Sequence, residues 1–463
     1  MTTDLTPAEQ LFLEGNGHLA AGRWDEAIAC FRGAIGLTPG FAEARTNLGL
    51  AYEQAGDAAA AEELYRSVRA INPDGGRCLL NLGALLTTQK RFAEAEEICR
   101  AAIERDPASP EARCNLGVLQ ACRKQETEAE QSYRTAIALK PDYRLAFFNL
   151  SYLLLRQGRF EEGWAAFEKR DWYGHFERLF PFPRWRGEPL AGKALLICID
   201  GGHGDMIQFC RYIPLLQAGG AGRIGLICQP GLVSLLGQLL PQGHIYSFGD
   251  EIPDIGWEWW TPIMSLPFHC GTGREKIPAT IPYLRADGAC RDQWEAVIAG
   301  SCSPGDLRVG LVWQGSPQFE NDADRSINDL EILEPLGKVA GIRFFSLQKG
   351  PGGEQAAHPP AGLPLVDLGA QIGDFADTAA IIAGLHLVIS VDTAVAHLAG
   401  ALGIPCWLLL PEYKPDWRWL AEREDSPWYP GAMRLFRQTL DGGWPEVIDR
   451  IRTALTALSA GRG

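Results

Sequence analysis

The sequence predicts a multidomain protein in which an N-terminal all-α array of helical repeats precedes two parallel-sheet α/β domains that face each other across a cleft. Two observations predict this architecture. A 34-residue periodicity runs through the first third of the chain, and two series of short apolar runs alternate with helical or irregular segments in the rest. Such alternation is typical of parallel sheets. A chain of 463 residues is also too long for a single core.

Four sets of residues carry the 34-residue period. They are glycines (Gly15, Gly49, Gly83, Gly117), alanines (Ala27, Ala61, Ala95, Ala129), bulkier residues (Phe31, Tyr65, Cys99, Tyr133) and prolines (Pro39, Pro73, Pro107, Pro141). Small residues let two helices approach closely, the bulkier residue fills the groove beside them, and proline ends the second helix. The pattern resembles the tetratricopeptide repeat.

A fifth copy, from residue 142 to about residue 173, agrees less well with the period. Ser151 replaces the glycine, Gly163 takes the alanine position, and no proline closes the copy. We expect it to cap the array, so that residues 1–173 form a solenoid of about five repeats. Because stacked repeats form a curved rod, we expect the concave face to bind a protein or peptide partner.

The region after the repeats divides into a connector and two α/β domains. Three aromatic residues within 180–185 favour a packed, ordered connector, which we assign to residues 174–193. The apolar runs that predict strands lie at 194–199, 223–228 and 244–248 and, after a Gly/Ser/Pro break at 300–305, at 307–313, 343–347, 387–391, 405–410 and 433–436. We therefore predict one parallel-sheet domain over 194–302 and a second over 303–463.

The composition excludes several classes of function. A formal net charge of −14 argues against a duplex nucleic acid partner, because phosphate contacts need a basic surface. No apolar run reaches the roughly 20 residues of a membrane-spanning helix, and the N-terminus carries no secretory signal. The cysteines form no C-x-x-C pair, and Cys99, Cys198 and Cys228 lie at apolar positions that favour reduced buried thiols. These features predict a cytoplasmic protein.

Residues 387–410 are the most informative segment for function. The apolar run 387–391 leads into Asp392 and Thr393, and a small-residue helix follows and stops at Gly403. Ligands bind at the carboxyl ends of strands in open α/β sheets, and a helix N-terminus attracts anions. Thr393 and His397 are four residues apart on one helix face, so both are predicted to reach a phosphate docked at this end. The alternative for His397 is a half-buried structural histidine.

A second candidate site follows the first strand of the first α/β domain. There the chain reads Asp200-Gly201-Gly202-His203-Gly204-Asp205. Glycines let the backbone turn sharply and approach a ligand, and a carboxylate follows at once. Asp205 is a candidate general base, and the alternative is that it only caps the helix beginning near Met206. His203 is the competing candidate base.

Further polar residues follow strands of the second α/β domain. Gly315 and Ser316 come after its first strand, in a loop that leads to Arg325, whose guanidinium either binds phosphate oxygens or pairs with Asp322 or Asp324. The D-x-D spacing of the two aspartates is too common to predict a metal site. Gln348 and Lys349 follow the next strand, and Asp374 precedes the helix that runs through Ala383.

Seven motifs together resemble a known family. They are GGHGDMIQFCRY, GLVWQGSP, DRSI, SLQKG, DFADTAAII, SVDTAVAHLAGALG and PDWRWL. The α/β half resembles glycosyltransferase family 9, the heptosyltransferase-like enzymes. The whole architecture is similar to that of the tetratricopeptide-repeat O-linked N-acetylglucosamine transferases of family 41.

The resemblance implies a GT-B fold, with two Rossmann-like domains that bind the acceptor in the N-terminal one and a nucleotide-sugar donor in the C-terminal one. It implies inverting transfer from a UDP- or ADP-linked sugar, with no metal and no cofactor. By position, Asp205 matches the catalytic aspartate, and Gly202, His203 and Gly204 form its acceptor loop. The residues that match donor-binding positions are Gly315, Ser316, Arg325, Gln348, Lys349, Asp374, Asp392, Thr393 and His397.

The sequence departs from the family beside Asp205, where His203 and Met206 replace leucine and threonine, and in the cluster of Trp257, Trp259 and Trp260. Ala394 also stands where glycine is common. Two other functions remain open. One is a non-catalytic scaffold, in which the repeats recruit a protein and a degenerate α/β half only binds a nucleotide. The other is a sugar-nucleotide epimerase, which has no need of a protein-binding array.

Overall fold

A computed structural model of the chain describes residues 5–71, 76–170, 173–240, 244–440 and 442–461. The chain forms two compact units, Met1–Leu153 and Leu154–Gly463, which we call the repeat unit and the α/β unit. Pro73, one of the prolines of the 34-residue period, lies outside the described residues.

The repeat unit consists of helical hairpins. Its helices, α1 to α9 in chain order, are Pro7–Ala20, Trp24–Leu37, Ala42–Gln54, Ala58–Ile71, Gly76–Thr88, Phe92–Arg105, Pro110–Cys122, Glu126–Leu139 and Arg144–Arg156, the last of which crosses the unit boundary. The first begins with a capping box in which Thr6 and Glu9 exchange hydrogen bonds. α2, α6 and α8 each end two residues before a proline of the period.

The periodic glycines lie where helices of one hairpin meet. A methyl group at Gly15 would lie 2.6 Å from a ring carbon of Phe31, and one at Gly49 would lie 2.5 Å from a ring carbon of Tyr65. The periodic alanines are fully buried in all four copies. The close-approach role predicted for the small residues is therefore confirmed.

The fifth copy is divided between the two units. Its second helix, α10 (Phe160–Phe167), belongs to the α/β unit, where the Trp164 ring packs edge-on against Trp417 at 5.1 Å and Phe209 at 6.3 Å. The structure thus divides at Leu153, whereas the sequence predicts the change at residue 173. The aromatic contacts of Trp164 explain the difference, because they bury α10 among residues of the α/β unit.

The connector is ordered, as its aromatic residues predict. After α11 (Gly174–Leu179), Phe180 and Trp185 are buried, and the Trp185 N–H donates to the Trp260 carbonyl over 2.7 Å. The connector therefore pairs with the edge of the first sheet.

The first sheet has four parallel strands in the order β3-β2-β1-β4. The strands β1 to β4 are Ala194–Cys198, Arg223–Cys228, Ile245–Ser247 and Trp259–Pro262, and the helices α12 to α16 are His203–Phe209, Ile213–Ala218, Val233–Leu236, Leu266–His269 and Gly288–Gly300. The apolar runs of the sequence do not predict β4. Trp257 is buried next to β4 and Trp260 is buried within it, so these two tryptophans serve the packing of the core.

The second sheet has six parallel strands in the order β10-β9-β8-β5-β6-β7. The strands β5 to β10 are Leu307–Val312, Ile342–Ser346, Leu365–Asp367, Leu387–Val391, Cys406–Leu410 and Met433–Arg437, and the helices α17 to α20 are Asp322–Arg325, Phe375–Ala383, Ala394–Leu402 and Gly443–Ala460. This is the order of doubly wound α/β folds, whose direction reverses between β5 and β8. Ligands of such folds bind at the carboxyl ends of those two strands.

The predicted sequence of helical repeats followed by an α/β region with parallel sheets is confirmed. Within the described ranges, no helix is both long enough and apolar enough to cross a membrane.

The packing of Gly15 against Phe31 gives a testable prediction. Gly15→Ala is expected to lower the free energy of local unfolding of α1 and α2 by about 1–3 kcal/mol, because the new methyl group overlaps the Phe31 ring. Gly17→Ala in the same helix meets no atom within 4 Å and is exposed, so it is expected to stabilise by about 0.5–1 kcal/mol. Hydrogen exchange of the α1 and α2 amides measures both effects, and equal effects of the two variants contradict the close-approach role.

Candidate functional site

The loop after β1 turns sharply at Gly201, whose φ of 105° suits glycine. Asp205 is the third residue of α12, and its Oδ2 accepts a hydrogen bond of 2.6 Å from the N–H of Gly202, the N-cap residue. The alternative prediction that Asp205 is itself the N-cap is therefore wrong by three positions. The bond to Gly202 fixes the carboxylate against its own loop while 21% of the Asp205 side chain stays exposed.

The other oxygen of Asp205 meets a cation that the sequence analysis did not single out. Oδ1 accepts from NH2 of Arg418, in the loop between β9 and β10. Burial raises the pKa of the Asp205 carboxyl above its ordinary value, and this outweighs the opposing effects of the Arg418 charge and the Gly202 N–H.

Arg418 is held in place by two further groups. NH1 donates to both carboxylate oxygens of Asp416 at 3.0 Å, and Nε donates to Oε1 of Gln208. Only 6% of the Arg418 side chain is exposed. The available signal was the arginine between two tryptophans in PDWRWL, because a buried position of this kind demands a charged partner.

The helix α19 begins beside Asp205. A methyl group at Gly204 would lie 2.9 Å from Cδ2 of His397 and 3.6 Å from the Cα of Ala394, so the glycine loop touches the first turn of α19. Thr393 is the N-cap, but its hydroxyl does not cap the helix and instead shares a 3.0 Å hydrogen bond with Ser390. The loop that holds Gly204 and Asp205 thus lies against the start of the helix that carries His397 and follows Thr393.

His397 is buried and makes contacts of its own. Its Nδ1 shares a 2.8 Å hydrogen bond with the Tyr429 hydroxyl, and its ring stacks on Trp419 at 5.2 Å. Burial lowers the pKa of His397 well below its ordinary value, and the charges of Arg418 and Arg211 add to this effect. His397 is therefore a neutral imidazole at physiological pH. These contacts hold the imidazole in the packing of this region, and Gly204 lies against the same ring.

Asp392 also binds the loop that carries Arg418. Its Oδ2 accepts a 2.7 Å hydrogen bond from Nε1 of Trp419, the residue after Arg418. Burial and the nearby charge of Asp416 raise the pKa of Asp392 to about 6. The loop that carries Arg418 is thereby fixed to the end of β8.

Arg325 spans the point where the second sheet reverses direction. Its NH1 donates to the Asp392 carbonyl at 2.9 Å, its NH2 reaches the Ser316 carbonyl at 3.4 Å, and its Nε pairs with Asp322 at 3.0 Å. A methyl group at Gly315 would collide with this guanidinium, which explains the glycine. The predicted ion pair with Asp322 is present, and the same side chain links the ends of β5 and β8.

Gln348, Lys349 and Asp374 serve the loops that carry them. The Gln348 amide accepts from the N–H groups of Trp313 and Gln314 at 3.0 Å and donates to the carbonyls of Gln314 and Pro351, which uses its full hydrogen-bonding capacity. Any contact of its side chain with a ligand requires those bonds to break.

Lys349 donates through Nζ to the carbonyls of Ile372 and Gly373. Asp374 is the N-cap of α18 and accepts from the N–H groups of Ala376 and Asp377. The competing base His203 is exposed, with its ring 5.1 Å from that of Phe375 at the start of α18.

The reversal point of the first sheet is occupied by an arginine that the sequence analysis missed. Arg170 is buried, and its NH2 donates to Oδ2 of Asp200 at 2.6 Å and to the Ser265 hydroxyl at 3.1 Å. Asp200 follows β1, and Ser265 follows β4. Arg170 comes from the chain just after α10, so the end of the fifth repeat fills this crevice.

Two models of the tetratricopeptide repeat match the chain, one at residues 12–76 and 127–171 and the other at residues 54–118. The N-terminal region is built from tetratricopeptide repeats. Proteins of this kind bind other proteins, which agrees with the predicted protein partner.

The curated protein FlbA of Caulobacter vibrioides is 28% identical to this chain over 346 residues, which cover 69% of the chain and 56% of FlbA. The chain therefore spans a little over half the length of this relative. Because the matched share is twice the part that holds the tetratricopeptide repeats, the similarity extends into the α/β unit.

Three solved structures are each similar to about a third of this chain. A thermophilic TPR protein of Thermus thermophilus is 24% identical, covering 35% of this chain and 89% of its own, with a TM-score of 0.33. PilF of Pseudomonas aeruginosa is 22% identical, with coverage of 36% and 77% and a TM-score of 0.33. MamA of Desulfovibrio magneticus is 19% identical, with coverage of 38% and 98% and a TM-score of 0.31.

The pKa of Asp392 gives a prediction for pH dependence. Because folding raises this pKa from 3.8 to about 6, the folded state loses stability as pH rises through that window, by up to about 3 kcal/mol. Asp392→Asn keeps an acceptor for Trp419 and removes the titration. Its stability relative to the parent protein, measured by urea unfolding, is expected to increase from pH 4 to pH 7.

Asp377 is the matched control because its pKa moves in the opposite direction. Burial raises this pKa, but hydrogen bonds from Trp294, Gly373 and others lower it below its ordinary value. The ionised Asp377 carboxylate therefore stabilises the folded state fully above pH 3.8, and this stabilisation is lost as pH falls further. The difference between Asp377→Asn and the parent protein should therefore stay flat between about pH 4 and pH 7. If the stability difference between Asp392→Asn and the parent protein is also independent of pH over this range, the raised pKa of Asp392 is contradicted.

Proposed function

We propose that the α/β unit is a GT-B glycosyltransferase that moves a sugar from a nucleotide-sugar donor to a hydroxyl of a protein or glycan. One observation carries the proposal. The contact of Gly204 with His397 brings the Asp205 carboxylate to the N-terminus of α19, so a base and an anion-attracting helix end share one corner. The family 9 motifs quoted above support the same assignment.

Asp205 acts as the general base in this proposal. The carboxylate takes the proton from the acceptor hydroxyl as the hydroxyl oxygen attacks the anomeric carbon from the face opposite the nucleotide. The bond from that carbon to the diphosphate oxygen breaks with inversion. Burial has already raised the pKa of Asp205, which makes the carboxylate a stronger base than an exposed aspartate.

The leaving diphosphate gains negative charge, and positive groups near the end of β8 stabilise it. The first N–H groups of α19 point toward this position, and Arg325 lies beside it through its bond to the Asp392 carbonyl. Lys349 contributes if it exchanges its carbonyl partners for phosphate oxygens. We propose a UDP- or ADP-linked donor and no metal, in line with the family resemblance.

The tetratricopeptide repeats recruit the acceptor or an adaptor protein in this proposal, since their established role is to bind proteins. We also propose a cytoplasmic location. Cys99, Cys198 and Cys228 are buried free thiols, which suits a reducing compartment.

A second function is favoured because polar groups of the site already have hydrogen-bond partners within the protein. Both oxygens of Asp205 are already hydrogen-bonded, and Gln348 has no bonding capacity to spare. These contacts suit a tetratricopeptide scaffold whose α/β unit binds a nucleotide without transferring a sugar.

Incubation of the purified protein with a panel of UDP-, GDP-, ADP- and CMP-linked sugars separates the two functions. Release of the nucleotide leaving group, or transfer to a protein or glycan fraction, supports the transferase. Binding without turnover for every donor, measured by calorimetry, supports the scaffold.

Asp205→Asn is expected to lower transfer by about a hundredfold or more, because the amide cannot accept the acceptor proton. Donor affinity should change much less than turnover. His203→Gln is the matched control in the same loop and is expected to retain activity within about tenfold. If the His203 variant is inactive and the Asp205 variant is active, the base is His203.

A further inference from the structure

Arg418 stands apart from the other arginines of the α/β unit because it ion-pairs with the proposed base. Asp416, two residues earlier in the chain, holds NH1 with both carboxylate oxygens, and Gln208 accepts from Nε. These contacts fix the plane of the guanidinium and direct its remaining edge, NH2, toward Asp205. Its orientation therefore does not depend on the Asp205 contact.

The Asp205 side of this ion pair is the more accessible side. The exposed fractions of the side chains are 21% for Asp205, 11% for Asp416 and 6% for Arg418. The other oxygen of Asp205 is bonded to the Gly202 N–H at 2.6 Å, so the carboxylate keeps one hydrogen bond when Oδ1 moves away from NH2. The contact between Arg418 and Asp205 is thus the one that an incoming anion can replace.

A second buried donor lies next to the guanidinium. Gln208 is fully buried, and its Nε2 has no hydrogen-bond partner among the described residues, although its Oε1 is engaged by Arg418. A buried amide N–H without an acceptor costs free energy, so an acceptor is expected there when the site is filled. The part of the α/β unit that the structure describes does not supply that acceptor.

Arg418 also lies next to the N-terminus of α19. The residue after it, Trp419, donates to Asp392 over 2.7 Å, and Asp392 directly precedes the Thr393 N-cap. A guanidinium edge and a helix N-terminus side by side match two linked phosphate groups better than one.

We propose that Arg418 is the diphosphate-binding residue of this corner and that it is held on Asp205 until a ligand arrives. A diphosphate ester takes NH2 of Arg418 and frees Oδ1 of Asp205. This exchange rests on the proposed function for its role, since it makes the base available only when the donor is bound. No covalent bond changes in the exchange.

Pyrophosphate binding to the full chain, followed by calorimetry and tryptophan fluorescence, tests the exchange without a sugar donor. Asp205→Asn is expected to tighten binding roughly three- to tenfold, because the ligand no longer competes with a carboxylate for the guanidinium. Arg418→Met is expected to weaken binding at least about tenfold. Arg423→Gln, which removes a partly exposed arginine paired with Asp425 in the same loop, should leave the affinity within about twofold.

The Asp205 variant decides the matter if Arg418→Met does not fold. If Asp205→Asn leaves the pyrophosphate affinity unchanged or weakens it, the proposal that a diphosphate replaces Asp205 on Arg418 is refuted. UDP and ADP are compared with farnesyl diphosphate in the same assay, and tighter binding of the isoprenoid overturns a nucleotide source for the diphosphate.

The two proposals fail in different ways. If no sugar nucleotide is turned over but pyrophosphate binding responds to both variants as expected, the transferase is refuted and the Arg418 site stands. If sugar is transferred but pyrophosphate binding ignores both variants, the Arg418 site is refuted and the transferase stands.

Discussion

The contact between Gly204 and His397 is the constraint on which the candidate site depends. A side chain larger than hydrogen at residue 204 would meet the imidazole, so the loop after β1 reaches the first turn of α19 only because the residue is glycine. The His397 ring in turn is immobilised by Tyr429 and Trp419. The loop after β1 therefore lies against the first turn of α19, and the position of Asp205 follows from that contact.

Charges at this corner are arranged in a chain rather than in isolated pairs. Asp416 orients Arg418, Arg418 meets Asp205, and Asp205 is fixed by the Gly202 N–H. Asp392 joins through Trp419, and its raised pKa reflects its own burial as well as the carboxylate of Asp416. Because buried charges need partners, the loss of the Arg418 charge is expected to raise the pKa of both Asp205 and Asp392 further.

The sequence predicted the elements whose signals are periodic or strongly apolar, and it missed those whose signals are spatial. The 34-residue period predicted the contacts of Gly15 and Gly49, because each repeat imposes the same geometry on the same positions. The apolar runs located eight strands, but β4 and β7 were missed, since β4 begins in a tryptophan cluster and β7 directly follows the proline- and glycine-rich segment 359–364.

At the site, the glycine loop and the D-T-x-x-x-H segment were found from strand ends and helix starts alone. Arg418 was missed because its partners Gln208 and Asp205 lie more than 200 residues away in sequence. Gln348 was assigned to a ligand because a strand end does not reveal which backbone groups its amide will satisfy. Local patterns thus locate polar residues at the cleft, but only the fold decides which of them remain available.

The crevice between the ends of β1 and β4 limits where the chain can be cut into independent parts. Arg170, which follows the last repeat helix, fills the space between the ends of β1 and β4 and neutralises Asp200. A shortened chain that starts at Ala194, the first residue of β1, would lack the counter-ion of Asp200 and is expected to be less stable for that reason. The end of the repeat array is thus an internal part of the sheet that follows it, and the two regions are inseparable at the border where their sequence patterns change.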